Sequence, residues 1–191
     1  MSLLFQETNT TPSIDNDWHW GQLPPASPAL QSWLHEPGSL TRRLRRHCAQ
    51  FHVKVLADGV LRPLMPAQAE WLQAEQGYCR EVLLCCDNLP WVYATSLYSP
   101  ATQAALPALS GLGSKALGEL MFEAPDLTRT PFELTGLTPT QYQQLAAHAG
   151  LAATEPATMP WARRSALSTG QASVLVTELF LPNSAPYQDL V

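Results

Sequence analysis

The sequence predicts an α+β fold that combines hairpins of β-strands with two helix-turn-helix units. Apolar and β-branched runs flank short turn sequences, and a helix pair followed by hairpins occurs twice in outline. Residues 173–182 add a third observation, because they predict a strand that is apolar on both faces and ends at Pro182. Such a strand is typical of the interior of a covered sheet.

Composition indicates one globular domain. The chain has 191 residues, 46% hydrophobic and 14% charged, and its net charge of −5 argues against bulk nucleic-acid binding. No apolar run approaches the roughly 20 residues of a membrane span, and we expect no signal peptide. The four cysteines include no Cys-x-x-Cys pair, which favours reduced thiols and a cytoplasmic location.

The predicted domain covers residues 18–182. Residues 1–17 and 183–191 are polar, and we expect them to form flexible N-terminal and C-terminal tails. Residues 136–160 are rich in Ala and Thr, contain three prolines and predict a short helix in a peripheral insertion.

The first helix pair follows a proline-rich stretch. A helix is predicted over residues 29–35, and Ser39 is suited to cap a second helix over residues 40–48. Four arginines lie on this second helix, and a solvated helix face explains them better than a DNA-reading module does. They are Arg42, Arg43, Arg45 and Arg46.

Turn sequences between apolar runs predict three hairpins. Their strands are residues 51–56 with 60–64, 78–86 with 91–98, and 161–168 with 172–181. The second helix pair is predicted over residues 102–109 and 115–122, followed by a strand over residues 127–134. Gly111-Leu112-Gly113 between these helices resembles a dinucleotide fingerprint, but the chain has no βαβ unit to place it in.

Charged residues within apolar strands are the candidates for function. By alternation Glu178 shares a face with Val176 and Phe180, and Arg80 shares one with Val82 and Leu84. A buried charge needs a partner, so each indicates either a functional site or a side chain that reaches water or an opposite charge.

Arg163 and Arg164 open the last hairpin on opposite faces of their strand. One of them is a candidate to join Arg80 in an anion pocket, with the other solvated. The five histidines lack the spacing of metal ligands, so no metal site is predicted.

An ordered set of short stretches resembles the chorismate lyase family over about residues 28–182. The stretches are Trp33-Leu34, Gly38-Ser39-Leu40-Thr41-Arg42-Arg43, Arg80-Glu81-Val82-Leu83-Leu84-Cys85, Pro90-Trp91, Leu112-Gly113, Leu117-Gly118, Phe122, Leu127-Thr128-Arg129, Arg163-Arg164-Ser165 and Thr177-Glu178-Leu179-Phe180-Leu181-Pro182. The resemblance implies an antiparallel sheet of about six strands, with two helix-turn-helix flaps covering an internal ligand site.

The resemblance also implies a function. A monomeric enzyme of this family converts chorismate to 4-hydroxybenzoate and pyruvate without a cofactor, at the entry to ubiquinone biosynthesis. Family substrate contacts correspond to Leu40, Arg80, Leu117 and Glu178, with Arg80 and Glu178 as the expected catalytic residues. No nucleic acid and no membrane partner is implied.

Two other functions fit the same fold. A small-molecule-sensing domain would bind an aromatic acid without chemistry, but we expect residues 1–27 to leave no room for a winged-helix DNA-binding domain. A catalytically inactive relative that binds 4-hydroxybenzoate is the other alternative, although Arg80 and Glu178 are both present.

Overall fold

The computed structural model describes residues 17–24, 27–152 and 156–188. Within these residues seven strands form one antiparallel sheet in the order β1-β2-β3-β7-β6-β4, and β5 also pairs with β6. The strands are β1 Phe51–Pro63, β2 Gln76–Cys86, β3 Leu89–Tyr98, β4 Thr128–Arg129, β5 Glu133–Gly136, β6 Trp161–Thr169 and β7 Ala172–Phe180. The predicted α+β class with an antiparallel sheet is confirmed.

Helices cover both faces of this sheet. They are α1 Pro28–Leu34, α2 Leu40–Leu44, α3 Pro66–Leu72, α4 Pro100–Ala105, α5 Leu117–Met121, α6 Pro139–Ala149 and α7 Ala185–Gln188, with a short 3₁₀ turn at Pro107–Leu109. We call the unit of α1 and α2 flap 1, and the unit from α4 to α5 flap 2. The side chains of Ser27 and Ser39 cap the two helices of flap 1, and that of Ser99 caps the first helix of flap 2, as sequence reasoning expects of serine.

Strand β7 lies inside the sheet, between β3 and β6. Its alternation divides the sheet into two faces. Val176 and Glu178 point to the face beneath the flaps, which we call the cavity face, whereas Leu175 and Leu179 pack under α3 and α6 on what we call the packed face. The prediction of a strand covered on both sides is therefore confirmed.

The predicted hairpin at the start of the sheet is wrong. Residues 51–63 form the single strand β1, which pairs with β2 along its whole length with register shifts after Val55 and after Ala57. The extra residues are taken up as irregularities in the ladder, with Gly59 at φ +68°, instead of reversing the chain. This irregularity places Asp58 beside β2.

Proline explains two further differences from the predicted elements. The helix predicted over residues 102–109 ends at Ala105, because Pro107 has no N–H to continue it. The strand predicted over residues 127–134 is divided into β4 and β5 on either side of Pro131, and both parts pair with β6.

Two segments predicted as peripheral contribute to the core. Helix α6, inside residues 136–160, buries Tyr142 and Leu145 against the packed face. After Pro182, helix α7 buries Tyr187, whose hydroxyl accepts the backbone N–H of Trp161 at 2.7 Å. Residues 183–188 are therefore not the flexible tail that polarity predicts. Of the tail predicted over residues 1–17, residues 1–16 lie outside the described residues.

No helix in the described part of the chain has both the length and the apolar character needed to cross a bilayer. The same residues contain no group of three or more His, Cys, Asp or Glu side chains placed to hold a metal ion.

Candidate active site

A cavity lies between the cavity face and the two flaps. It contains about 500 Å³ not filled by protein atoms, and its floor is formed by apolar side chains of the central strands, among them Val82, Leu84 and Val176. The charged side chains found in its lining among the described residues are Arg80, Arg129 and Glu178. An apolar chamber with a few charged groups is the usual character of a small-molecule site.

Glu178 is held by an arginine of the neighbouring strand. The β6–β7 register places Arg163 opposite Glu178, and the Arg163 Nε donates to Glu178 Oε2 at 2.6 Å. The Arg163 side chain is fully buried, whereas that of Glu178 is 13% exposed. A charge-assisted bond of this length fixes the position of the carboxylate at the cavity wall.

The same Arg163 fastens flap 1 to the sheet. Its Nη1 donates to the backbone carbonyls of Trp33 and Glu36, both at 3.0 Å, where α1 ends. Carbonyls at a helix end lack partners within the helix, so the guanidinium satisfies them while it orients Glu178.

Arg80 has the corresponding position under flap 2. Its side chain is 2% exposed, and its Nη2 donates to the carbonyls of Gly113 at 2.7 Å and Lys115 at 3.0 Å. Its Nη1 lies 2.9 Å from Asp58 Oδ2 at the irregularity of β1. Each flap is therefore fastened to the cavity face by one buried arginine.

Three of the four residues predicted to bind the substrate line the cavity. Arg80, Leu117 and Glu178 all line it, as alternation predicts for the two charged residues. Leu40 is buried in the core at the start of α2, and the next residue, Thr41, lines the cavity. Their roles in binding stay predictions.

The expectation for the arginine pair needs correction. Arg163 lies on the cavity face but pairs with Glu178 instead of joining Arg80. Arg164 lies on the packed face and is not solvated, because its Nε donates to Glu133 at 2.7 Å and its guanidinium covers the rings of Trp20 and Trp71. The pairing of β6 with β7 places Arg163 opposite Glu178, and the pairing of β6 with β5 places Arg164 opposite Glu133.

Arg129 is a charged cavity residue to which sequence reasoning gave no role. It ends β4 and its guanidinium carbon lies 5.4 Å from the ring centre of Phe122 and 4.8 Å from that of Phe132. Burial lowers the pKa of Arg129 against the opposing effect of Glu178. The available signal was an arginine inside a predicted strand and inside a stretch that resembles the family.

The flaps also touch each other above the cavity. Arg45 of flap 1 lies 2.6 Å from Glu119 of flap 2 in an exposed ion pair. Below it, a side chain added at Gly118 would contact Ser39 Oγ at 3.3 Å, so glycine permits the close approach of the two flaps. These contacts join the two flaps to each other.

Comparison with solved structures supports the fold. The effector domain of PhnF from Mycobacterium smegmatis aligns with a TM-score of 0.53 and 13% sequence identity, covering 75% of this chain and 88% of that domain. The ligand-binding domain of a putative GntR-family transcriptional regulator from Bordetella bronchiseptica aligns with a TM-score of 0.50 and 14% identity, covering 72% and 86% of the two chains. Similarity at this level shows a shared fold alone.

Comparison with protein sequences is more specific about the family than comparison with solved structures. A protein of Shewanella sp. (strain W3-18-1) named probable chorismate pyruvate-lyase is 39% identical over 84% of this chain and 83% of its own length. The protein of Serratia proteamaculans (strain 568) named chorismate pyruvate-lyase is 36% identical over 90% of this chain and 88% of its own length. Residues 17–189 match the chorismate lyase family as a whole, and the chain belongs to that family.

Proposed function

We propose that this protein is a lyase that converts chorismate to 4-hydroxybenzoate and pyruvate, as the first committed step of ubiquinone biosynthesis. The observation that carries the proposal is that Arg80 and Glu178, one cation and one carboxylate, line the same apolar cavity under the flaps. The names of the curated relatives support the same substrate and the same bond cleavage.

The charges of the cavity suit the substrate. Chorismate is a dianion with one carboxylate on its ring and another on its enolpyruvyl group, and it also carries a ring hydroxyl. Arginine binds carboxylates through two parallel hydrogen bonds, so Arg80 is the proposed partner of the ring carboxylate, close to Leu117. Glu178, the one carboxylate among the described residues of the lining, is then available for the hydroxyl.

The reaction balances without a further reactant. The bond between the ring carbon and the enolpyruvyl oxygen breaks, and its electron pair leaves with that oxygen. The neighbouring ring carbon, which carries the hydroxyl, loses its hydrogen as a proton, and the ring becomes aromatic. Enolpyruvate takes up a proton to become pyruvate, so the step needs no oxidant, reductant or water. The protein's task is to hold the reactive conformer and exclude solvent.

Two roles for Glu178 stay open. It either accepts a proton during aromatisation or only orients the ring hydroxyl by a hydrogen bond. Arg163 holds one of its oxygens, Oε2, at 2.6 Å. In both roles the other oxygen is the one available to the substrate.

The test is a reaction with a single substrate. Purified protein is mixed with chorismate alone, and pyruvate and 4-hydroxybenzoate are followed together. We expect both products in equal amounts, and we expect Arg80→Ala to abolish most of the turnover. Tight binding of chorismate or 4-hydroxybenzoate with no pyruvate formed would refute the lyase and favour the sensing domain.

Closure by flaps predicts slow release of the product. The flaps touch through the pair of Arg45 with Glu119 and at Gly118, so we expect a bound aromatic acid to leave only after the flaps move. We therefore expect 4-hydroxybenzoate to inhibit turnover. The monomeric state and the cytoplasmic location stay predictions.

A further inference from the structure

Arg129 offers hydrogen-bond donors that no described residue uses. Its Nε and Nη1 are buried and have no hydrogen-bond partner among the described residues. These two nitrogens are shielded from water without gaining an acceptor, which is energetically unfavourable. The cost is explained if an anion enters the cavity and takes these donors.

The other arginines of the site are already engaged. Arg80 holds two flap carbonyls and lies next to Asp58. Arg163 also has one buried nitrogen without a described partner, Nη2, but its remaining nitrogens hold Glu178 and flap 1, and it is absent from the cavity lining. Among the described arginines of the lining, Arg129 therefore has the most buried donors without a hydrogen-bond acceptor, two against one for Arg80.

The position of Arg129 selects one carboxylate of the substrate. In chorismate the enolpyruvyl group is attached next to the carbon that carries the hydroxyl, and the ring carboxylate lies across the ring from that hydroxyl. With the hydroxyl at Glu178, the enolpyruvyl carboxylate lies at the Glu178 end of the cavity. Arg129 is near enough to Glu178 for the two charges to influence each other.

We infer that Arg129 binds the enolpyruvyl carboxylate of chorismate and so distinguishes the substrate from the product. This inference rests on the proposed function. The product 4-hydroxybenzoate retains the ring carboxylate and the hydroxyl but has lost the enolpyruvyl group. Arg129 then stabilises the bound substrate and the departing enolpyruvate, and it contributes little to binding of the aromatic product.

The aromatic neighbours support this role. The rings of Phe122 and Phe132 lie beside the guanidinium and restrict its position without accepting a conventional hydrogen bond. Phe122 also lines the cavity and belongs to the segment that ends flap 2. Arg129 is thus held in place by rings while its donors stay available to a ligand.

The experiment compares two ligands across four variants. The variants are Arg129→Met, Arg129→Lys, Arg80→Met and, as a matched control, Arg46→Met on the exposed end of flap 1. For each we measure kcat/KM with chorismate, the dissociation constant of 4-hydroxybenzoate by calorimetry, and the melting temperature. Loss of a charge pair in a desolvated site changes affinity by about 30-fold or more.

We expect Arg129→Met to lower kcat/KM for chorismate by about 100-fold and to change the dissociation constant of 4-hydroxybenzoate by less than about three-fold. Arg80→Met is expected to weaken both ligands, and Arg46→Met neither. The melting temperature of Arg129→Met should equal or exceed that of the wild type, because two buried donors without an acceptor are removed.

Two results would overturn the inference. One is wild-type kcat/KM in Arg129→Met, and the other is an equal loss of affinity for substrate and product. If Arg129→Met does not fold, Arg129→Lys decides, because a lysine cannot reproduce the planar fork and should lose at least about ten-fold in kcat/KM with unchanged product binding. Unchanged kcat/KM in Arg129→Lys would then refute the inference.

A failure of the proposed function can be distinguished from a failure of the inference about Arg129. A wild-type protein that leaves chorismate intact would remove the lyase reaction, whatever Arg129 does. Equilibrium binding of chorismate to the wild type and to Arg129→Met would still test the charge contact, and equal dissociation constants would refute it.

Discussion

The two faces of the central sheet each carry a carboxylate with charged partners, and that of Glu178 lines the cavity. On the cavity face Glu178 is paired with Arg163 and borders the space under the flaps. On the packed face Glu81 is bonded to His148 at 2.5 Å, Tyr93 at 3.1 Å and Arg62 at 3.3 Å. Helix α6 contacts that second group through His148.

The comparison shows what distinguishes a carboxylate at a ligand site from a carboxylate that only holds parts of the fold together, which we call an anchor. Glu81 is 6% exposed and its hydrogen bonds join α6 to strands β1, β2 and β3, so its demands are met within the fold. The cavity face instead leaves donors of Arg129 unmet and keeps space beside Glu178. A buried charge is a poor indicator of function until the space next to it is known.

The largest expected effect is the loss of turnover in Glu178→Gln. An amide keeps the shape of the side chain but can neither accept a proton nor carry the charge held by Arg163. We expect kcat with chorismate to fall by about 100-fold or more if the carboxylate moves a proton, and by about ten-fold if it only orients the hydroxyl. Wild-type kcat in this variant would remove Glu178 from the mechanism.

Arg163→Met should cause the largest loss of stability. It leaves Glu178 and the carbonyls at the end of α1 without their cation, and removing one partner of a buried pair costs about 3–5 kcal/mol. We expect the free energy of unfolding, measured by urea denaturation, to fall by about 3 kcal/mol, because Glu178 is partly exposed. A loss below about 1 kcal/mol, the size of an exposed pair, would contradict this account.

The variant Glu81→Gln tests whether the carboxylate on the packed face stabilises the fold without taking part in turnover. We expect a loss of about 2 kcal/mol in the free energy of unfolding at pH 7, since charged hydrogen bonds to His148 and Arg62 are weakened. Turnover of chorismate by the folded variant should stay within about two-fold of the wild type, because Glu81 faces away from the cavity. A loss of kcat comparable with that of Glu178→Gln would end the distinction between anchor and site.

The pH dependence of the same variant supplies a separate check. Burial raises the pKa of Glu81, but bonds and charges from His148, Arg62 and Tyr93 outweigh it and hold the pKa below the usual value of about 4.5. The ionised carboxylate therefore stabilises the fold above about pH 4.5, and this contribution is lost as the pH falls through the lowered pKa. Thermal unfolding should separate wild type from Glu81→Gln at pH 7 and bring the two together at acid pH; a constant difference would contradict the prediction.

The smallest effect is expected at the contact between the flaps. Arg45→Gln removes the exposed pair with Glu119, which contributes less than about 1 kcal/mol to stability. If flap opening limits product release, kcat should rise by up to about five-fold, and added salt should raise the wild-type kcat in the same direction. Arg46→Gln serves as the control, and identical kcat values in both variants would show that this pair does not restrain the flaps.

Much of the site could be predicted from the sequence, because alternation along a strand fixes the face on which each side chain lies. Arg80 and Glu178 each stand in an apolar row, and both rows lie on the cavity face. The other charged groups near these two residues could not be predicted from alternation. Asp58 reaches Arg80 only because β1 continues through a predicted turn, and Arg129 reaches the cavity from a strand of two residues.

The sequence by itself determined the class of fold, the two helix pairs, two of the three hairpins and the faces of the central strands. These features follow from local patterns: period-two alternation, serine caps and turn residues. Tertiary structure alone decided that Arg163 pairs with Glu178, that Arg164 stacks on tryptophans, and that α6 and α7 belong to the core. Those contacts join residues far apart in the chain, and strand register and packing, which no local pattern encodes, bring them together.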